Sequence, residues 1–263
     1  MKKHVPLLIG ITLLIEVIQF ILAIIIGANQ NIEQYGQLSL RLAYFALLAT
    51  SFSIITLHII KRRHFDRRSL FYASILFATF IGITNLNIIV VGRKFDLEQL
   101  GYYNSWVQYA KIIILLLTPI AGGLYIFFVN TERRLHRQIV FISSLLILTA
   151  IGIATNLGYG AYGKKLIFML FGKEFYPINT YLEWAAYYGT GYVMMMVMSF
   201  YFLARKSIIS IVPAFLLPFY FVALMTYPNN IADAMYMNII YVFATTTIFL
   251  LAFLKDRIIF LLK

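Results

Sequence analysis

The sequence predicts an all-α integral membrane protein, a bundle of about eight transmembrane helices with both termini in the cytoplasm. Hydrophobic residues make up 62% of the 263 residues and charged residues only 12%. A water-soluble domain carries roughly a quarter charged residues. The apolar segments run for about 20 residues without strict alternation, which is typical of membrane-spanning helices and not of barrel strands.

Eight uninterrupted apolar segments are each near the length that a bilayer needs. They lie at residues 5–27, 39–60, 70–92, 106–129, 138–158, 184–203, 207–227 and 236–254. The first segment is too long, and too rich in large residues at its end, for a cleaved signal peptide, so we expect it to be the first helix. Together the segments predict a single polytopic membrane domain over residues 1–263.

The lysine and arginine residues predict the orientation. With the N-terminus inside, 15 of the 22 fall on the cytoplasmic side, which the positive-inside rule favours. The expected location is the inner (plasma) membrane. The basic runs at 61–64 and 133–137 fit this topology and attract anionic lipid headgroups. We therefore do not interpret the net charge of +12 as a sign of nucleic-acid binding.

Three local patterns refine individual helices. Helix four contains Pro119, and helix seven contains Pro213 and Pro218, so both are expected to kink and free backbone carbonyls. The small residues within 187–192 favour close packing of helix six. In the outer loop 159–183, residues 168–177 are expected to lie along the membrane interface as an amphipathic segment.

Aromatic residues and a faint repeat add to this picture. Six aromatic residues flank helices on the outer side, where aromatic anchors are common: Tyr102, Tyr103, Trp106, Tyr176, Tyr181 and Trp184. Residues 79–86 of helix three resemble residues 149–157 of helix five. Duplicated hairpins occur in transporters, and chance similarity between apolar helices is an equally good explanation.

Polar side chains inside the spans predict an intramembrane polar site. An ionisable group deep in a bilayer costs roughly 3 kcal/mol, so it is a functional candidate by default. Glu16 lies midway along helix one with Gln19 on the same face, although a protonated Glu16 bonded to a neighbouring helix explains it equally well. Lys111 is expected to reach the outer headgroups. The residues of the predicted site are Glu16, Gln19, His58, Asn85, Asn87 and Asn156.

Several chemistries are absent from the sequence. It has no cysteine, which excludes disulfides and thiolate metal sites. It also contains no phosphate-binding loop, dinucleotide fingerprint, paired-histidine zinc motif or nucleophile elbow. No catalytic or metal-binding residue is therefore predicted, and an enzymatic function is disfavoured.

Helices two to five resemble the ferric-reductase-like transmembrane family, in particular the haem-binding membrane subunit of the periplasmic methionine sulfoxide reductase system. Three segments carry the resemblance: residues 32–42 with 47–50, residues 67–70 with 77–79, and residues 133–137 with 140–141. It implies b-type haem held by histidines on helices three and five. Only His136 matches a ligand position, since the other positions fall near Ile81 and Thr149.

Three functions stay open at this stage. The chain is either a small-solute transporter or a non-catalytic membrane partner, for example an assembly subunit that binds a membrane or periplasmic protein. The alternative is a divergent ferric-reductase-like subunit that handles haem b.

Overall fold

The computed structural model describes residues 5–27, 30–60 and 67–261, and within these ranges the chain is helical and has no strand. The described ranges contain eight α-helices: α1 (Val5–Gly27), α2 (Ile32–Ile60), α3 (Arg67–Lys94), α4 (Leu97–Asn130), α5 (Arg134–Leu170), α6 (Leu182–Ala204), α7 (Val212–Thr226) and α8 (Ile231–Leu261). Short 3-10 helices at Lys173–Tyr181 and Ile208–Ile211 precede α6 and α7.

Length and composition indicate a membrane protein. In the described chain, six helical segments are long and apolar enough to cross a bilayer: Ile32–Ile55, Leu70–Lys94, Leu97–Asn130, Arg134–Leu170, Ile208–Thr226 and Ile231–Ile258. Large apolar side chains such as Leu48, Phe52 and Phe219 are more than two-thirds exposed on the outside of the bundle. Water-soluble proteins rarely expose extended apolar surface, whereas lipid covers it at no cost.

The helix α6 forms the centre of the bundle. Eighteen of its 23 residues are buried, and it packs against α4, α5 and α8. Gly189 and Gly191 permit this packing: a β-carbon at Gly189 would lie 2.7 Å from the carbonyl oxygen of Ala110, and one at Gly191 would lie 2.8 Å from Val242. Because α6 is surrounded by protein, it can carry more polar residues than a lipid-facing helix.

A second close crossing joins α2 to α4. A β-carbon at Gly36 would lie 2.1 Å from the carbonyl oxygen of Leu97, and one at Gly101 would lie 2.4 Å from that of Ile32. Only glycine fits where two backbones approach so closely. The first helix, α1, packs against α2, α3 and α4.

The two ends of the bundle are defined by the residues that meet there. At the Arg134 end, Arg134 donates to the carbonyl oxygen of Asp256, so the start of α5 meets the last turns of α8. The start of α1 lies at the same end, since Ile9 packs beside Gly122 in the second half of α4. At the Tyr35 end, Tyr35 in the first turn of α2 lies beside the segment that follows α5.

Helix ends differ from the sequence-based expectation because several helices continue past their apolar runs. The largest difference is in α5, which was expected to end near 158 and instead reaches Leu170. One face of this extension is buried through Tyr159, Gly163 and Ile167. The segment 168–177, predicted as one amphipathic element, is divided: residues 168–170 complete α5, and Phe175 in the 3-10 helix that follows is fully buried.

Two further local expectations change. Tyr103 and Trp106 are fully buried, so they are not interfacial anchors, and the Trp106 indole donates to the Tyr181 carbonyl oxygen at 2.8 Å. Pro213 lies in the first turn of α7, where a proline fits without a kink, while Pro119 and Pro218 lie inside continuous helices.

Candidate functional site

A buried ion pair lies in the interior between α1 and α4. The Lys111 Nζ is 2.8 Å from the Glu16 Oε2, and the two side chains are 2% and 9% exposed. Among the buried residues that the structure describes, these two are the only charged ones. A buried ion without its partner costs several kcal/mol, so each charge is tolerated because of the other.

Two successive side chains of α3 complete the surroundings of the carboxylate. The Thr84 hydroxyl donates to the Glu16 Oε1 at 2.8 Å, and the Asn85 amide donates to the same oxygen at 3.2 Å. Glu16 therefore accepts hydrogen bonds from α3 on one oxygen and faces the Lys111 ammonium with the other. Such charge-assisted bonds are stronger than neutral ones.

The Gln19 side chain links this pair to α2. Its amide nitrogen donates to the Asn85 Oδ1 at 3.0 Å and to the Leu42 carbonyl oxygen at 2.6 Å. Its oxygen accepts a long hydrogen bond of 3.5 Å from the Lys111 Nζ. We call Glu16, Gln19, Thr84, Asn85 and Lys111 the Glu16 cluster; its contacts join α1, α2, α3 and α4.

A second set of polar residues begins next to Lys111. The Asn104 amide donates to the Ser39 hydroxyl at 2.6 Å and to the Tyr35 hydroxyl at 2.9 Å, and the Gln108 amide donates to the Asn104 Oδ1 at 3.3 Å. We call Tyr35, Ser39, Asn104 and Gln108 the Asn104 ladder. All four residues are buried.

A small cavity lies between the cluster and the ladder. Its volume is about 10 Å³, which is room for a single water molecule. Its polar lining comes from both sets of residues: Gln19, Ser39, Asn85, Asn104, Gln108 and Lys111. The Gln108 Oε1 is buried and has no hydrogen-bond partner among the described residues.

Two tyrosines of α6 border the Glu16 cluster on its other side. Tyr192 lies beside Thr84 of the cluster, since the hydroxyls of both donate to the Phe80 carbonyl oxygen, and Tyr188 lies one turn earlier on α6. The Tyr192 hydroxyl donates to the Phe80 carbonyl oxygen at 3.0 Å. The Tyr188 ring stacks on Trp106 with a centroid distance of 5.5 Å, and its buried hydroxyl has no hydrogen-bond partner within the described chain.

A separate polar cluster surrounds Asn238 of α8. The Asn238 Oδ1 accepts from Tyr220 at 2.7 Å and from Asn87 at 3.1 Å, while its amide donates to the Tyr103 hydroxyl at 2.8 Å. These bonds connect α3, α4, α7 and α8. No charge takes part, and every polar atom of the Asn238 amide is used, which is typical of a structural interhelical network.

The six residues predicted for an intramembrane site have different positions. The structure brings Glu16, Gln19 and Asn85 together, whereas Asn87 belongs to the Asn238 cluster. Asn156 is partly exposed on α5 and donates to the Glu183 carbonyl oxygen at 3.3 Å, away from the others. The side chain of His58 lies outside the described residues.

Sequence reasoning missed Lys111 and the residues that lead to it. Lys111 was expected to reach the headgroups, and instead it is 2% exposed. A signal was present: Asn104, Gln108 and Lys111 follow one another at helical spacing on one face of an apolar helix. Asn238 had no comparable signal, because a single asparagine with tyrosine partners on other helices forms no pattern.

The haem that the resemblance implies does not fit the described residues. His136 is exposed in the first turn of α5, where its ring lies 5.5 Å from that of Phe127. The other two ligand positions hold Ile81, which is buried and apolar, and Thr149, which donates to the Leu145 carbonyl oxygen. In the described ranges, no group of three histidine or acidic residues could hold a metal ion.

No protein-family model, no curated protein and no solved structure matches this chain.

Proposed function

We propose that the chain is a multi-pass membrane transport protein for a small polar solute, with its binding site centred on Glu16 and Lys111. The observation that carries the proposal is the ion pair itself, because two opposite charges in the interior of an apolar bundle are costly to retain without a use. In this proposal α1 and α6 cross the membrane with the six longer apolar segments. Both termini then face the cytoplasm.

The chemistry of the cluster favours a zwitterionic solute. A solute ammonium would replace Lys111 as the partner of Glu16, and a solute carboxylate would replace Glu16 as the partner of Lys111. The amides of Gln19 and Asn85 and the Thr84 hydroxyl supply further hydrogen bonds to either group. Transporter sites of this kind lie near the middle of the bilayer between helices that move apart.

The arrangement described here corresponds to an occluded state without solute. The cavity of about 10 Å³ admits one water molecule and no larger compound. A solute therefore requires α1 to separate from α4, which breaks the 2.8 Å ion pair. The solute's own charges then offset the loss of the pair, so the affinity depends on both of its charged groups.

Thermal unfolding with a panel of small solutes tests this proposal. Purified protein is melted with a zwitterion, a carboxylate, an amine and a neutral polyol of similar size. We expect the zwitterion to raise Tm most, and we expect Lys111→Met and Glu16→Gln to abolish the shift. The control is Asp256→Asn at the partly exposed Arg205–Asp256 pair, which should keep the Tm shift. A panel without any stabilising solute, or a shift that survives both variants, contradicts the proposal.

A second candidate is a non-catalytic membrane subunit. The observation in its favour is an apolar cavity of about 120 Å³ between α4, α5 and α6, where Ile120 and Ile147 are more than half exposed. A partner helix could cover such a surface inside the bilayer. Purification in mild detergent tests this reading, because an obligate subunit is expected to elute with a stoichiometric partner and a transporter on its own.

A further inference from the structure

The Asn104 ladder runs from the ion pair to one end of the bundle. Gln108 and Asn104 lie one and two turns before Lys111 on α4, and Ser39 and Tyr35 lie one turn apart near the start of α2. Three hydrogen bonds of 2.6–3.3 Å connect these four side chains. Hydrogen-bonded polar side chains therefore lead from Gln108, one turn from Lys111, to the Tyr35 end.

The cavity at the inner end of the ladder is suited to water. Lys111 has three N–H donors, of which Glu16 and Gln19 accept two. Lys111 and Gln108, whose Oε1 has no hydrogen-bond partner among the described residues, both line the cavity. A water molecule there would accept from Lys111 and donate to Gln108, which would satisfy both groups.

Two aromatic rings cover the outer end of the ladder. The rings of Phe171 and Phe175 pack against that of Tyr35 in edge-to-face geometry at centroid distances of 5.5 Å and 5.6 Å, and both are buried. They belong to the segment between α5 and α6. Between them lies Gly172 with φ at 90°, a conformation that other residues rarely adopt.

The opposite side of the ion pair is closed by rings and has no such ladder in the described chain. Towards the Arg134 end, Phe77, Phe80 and Phe200 pack on one another with centroid distances of 6.0–6.3 Å. Tyr125 packs against Phe200 at 5.6 Å. Water passing this way would have to separate a packed aromatic core.

We infer that water and small solutes reach the Glu16 cluster from the Tyr35 end, along the Asn104 ladder, and that Phe171 and Phe175 form a lid over this route. The inference rests on the proposed function, since an access route has a use only if the ion pair meets a solute. The aromatic core around Phe80 closes the other side in this state. Opening the lid exposes Tyr35 and then Ser39, while Ser199 beyond the core stays covered.

The complete absence of cysteine makes the route measurable by thiol labelling. Ser39→Cys places a thiol on the ladder, and Ser199→Cys places one at a buried serine near the other end of the bundle. Each variant is made alone and together with Phe175→Ala. Purified protein in lipid nanodiscs is treated with a membrane-impermeant methanethiosulfonate, and Gln37→Cys on the exposed surface of α2 supplies the reference rate.

We expect Phe175→Ala to raise the labelling rate of Ser39→Cys about tenfold, because the lid loses a set of ring contacts. The rate of Ser199→Cys should not change. An unchanged rate for Ser39→Cys overturns the inference. So does an equal rise for Ser199→Cys, which would mean that the variant loosens the whole bundle.

Phe171→Ala is a second lid variant, and the same outcomes apply to it. It keeps the test decisive if Phe175→Ala does not give monodisperse protein. Labelling needs no solute, so its result is independent of the solute panel. If a lid variant raises the labelling of Ser39→Cys and no solute stabilises the protein, the inference stands and the transport proposal fails. If a solute stabilises the protein and labelling does not rise, the transport proposal stands and the inference fails.

Discussion

The stability of the ion pair depends on both partners at the scale of single residues. Lys111→Met leaves the Glu16 carboxylate buried without its cation, and we expect a loss of about 3–5 kcal/mol of unfolding free energy. The double variant Glu16→Gln/Lys111→Met removes both charges and should recover most of that loss. Unfolding of the three proteins in the same lipid or detergent measures the difference.

The Arg205–Asp256 pair is the matched control for this cycle. Its side chains are 28% and 31% exposed, so the pair is partly solvated. Asp256→Asn is expected to change the unfolding free energy by about 1 kcal/mol or less. If Lys111→Met were as mild as this control, Glu16 and Lys111 would not form a strongly coupled buried pair.

The Asn238 cluster separates structural from functional polar groups. Asn238→Leu leaves Tyr103, Tyr220 and Asn87 without their common partner, and each buried orphan costs about 1–3 kcal/mol. We expect a clear loss of thermal stability while the solute-induced Tm shift remains. Loss of that shift at unchanged stability would place Asn238 in the binding site and contradict its structural role.

The sequence could predict which residues are unusual more easily than which residues meet. Glu16 and Asn85 are recognisable because each interrupts an apolar helix. Their contact depends on how α1 packs against α3, and no spacing within one helix encodes that packing. Lys111 was misjudged because its distance from the start of the apolar run suggested the headgroup region, while α4 in fact begins at Leu97.

At the scale of helices, glycine sets how closely α2 and α4 cross. We expect Gly36→Ala and Gly101→Ala to destabilise the protein strongly, since the new methyl group would lie 2.1 Å or 2.4 Å from a backbone carbonyl oxygen. Gly123→Ala is the control in the same α4 helix, because nothing lies within 4 Å of its β-carbon position. It should be neutral or slightly stabilising, by up to about 1 kcal/mol.

Thermal unfolding of the three glycine variants checks this prediction. Equal Tm values for Gly101→Ala and Gly123→Ala would mean that the two backbones are not in contact. The crossing also fixes the Asn104 ladder, since Tyr35 and Asn104 flank Gly36 and Gly101 along their helices. Gly36 and Gly101 therefore determine both the packing of α2 on α4 and the position of the Asn104 ladder.

Helix positions followed from hydropathy, whereas helix lengths did not. An apolar run marks the part of a helix that needs lipid or protein around it. The helix itself continues as far as backbone hydrogen bonds and the burial of one face stabilise it, as α5 does beyond residue 158. The two similar segments, residues 79–86 and 149–157, differ in their surroundings: Asn85 of α3 is buried in the bundle, and Asn156 of α5 is partly exposed.

At the scale of the whole molecule, the bundle places a polar centre inside an apolar exterior. The helix α6 is covered by other helices, and the Glu16 cluster is enclosed by the first four. Aromatic rings close both sides of the cluster, as a lid at the Tyr35 end and as a packed core towards the Arg134 end. Such an arrangement can open to one side while the other stays sealed, which transport requires.

Uptake into proteoliposomes tests the central claim most directly. Wild-type protein, Lys111→Met and Asp256→Asn are reconstituted at equal density, and entry of the radiolabelled solute that stabilises the protein best is followed over time. We predict that wild type and Asp256→Asn accumulate the solute and that Lys111→Met does not exceed protein-free liposomes. Uptake by Lys111→Met at the wild-type rate, or none by the wild type, would contradict the account.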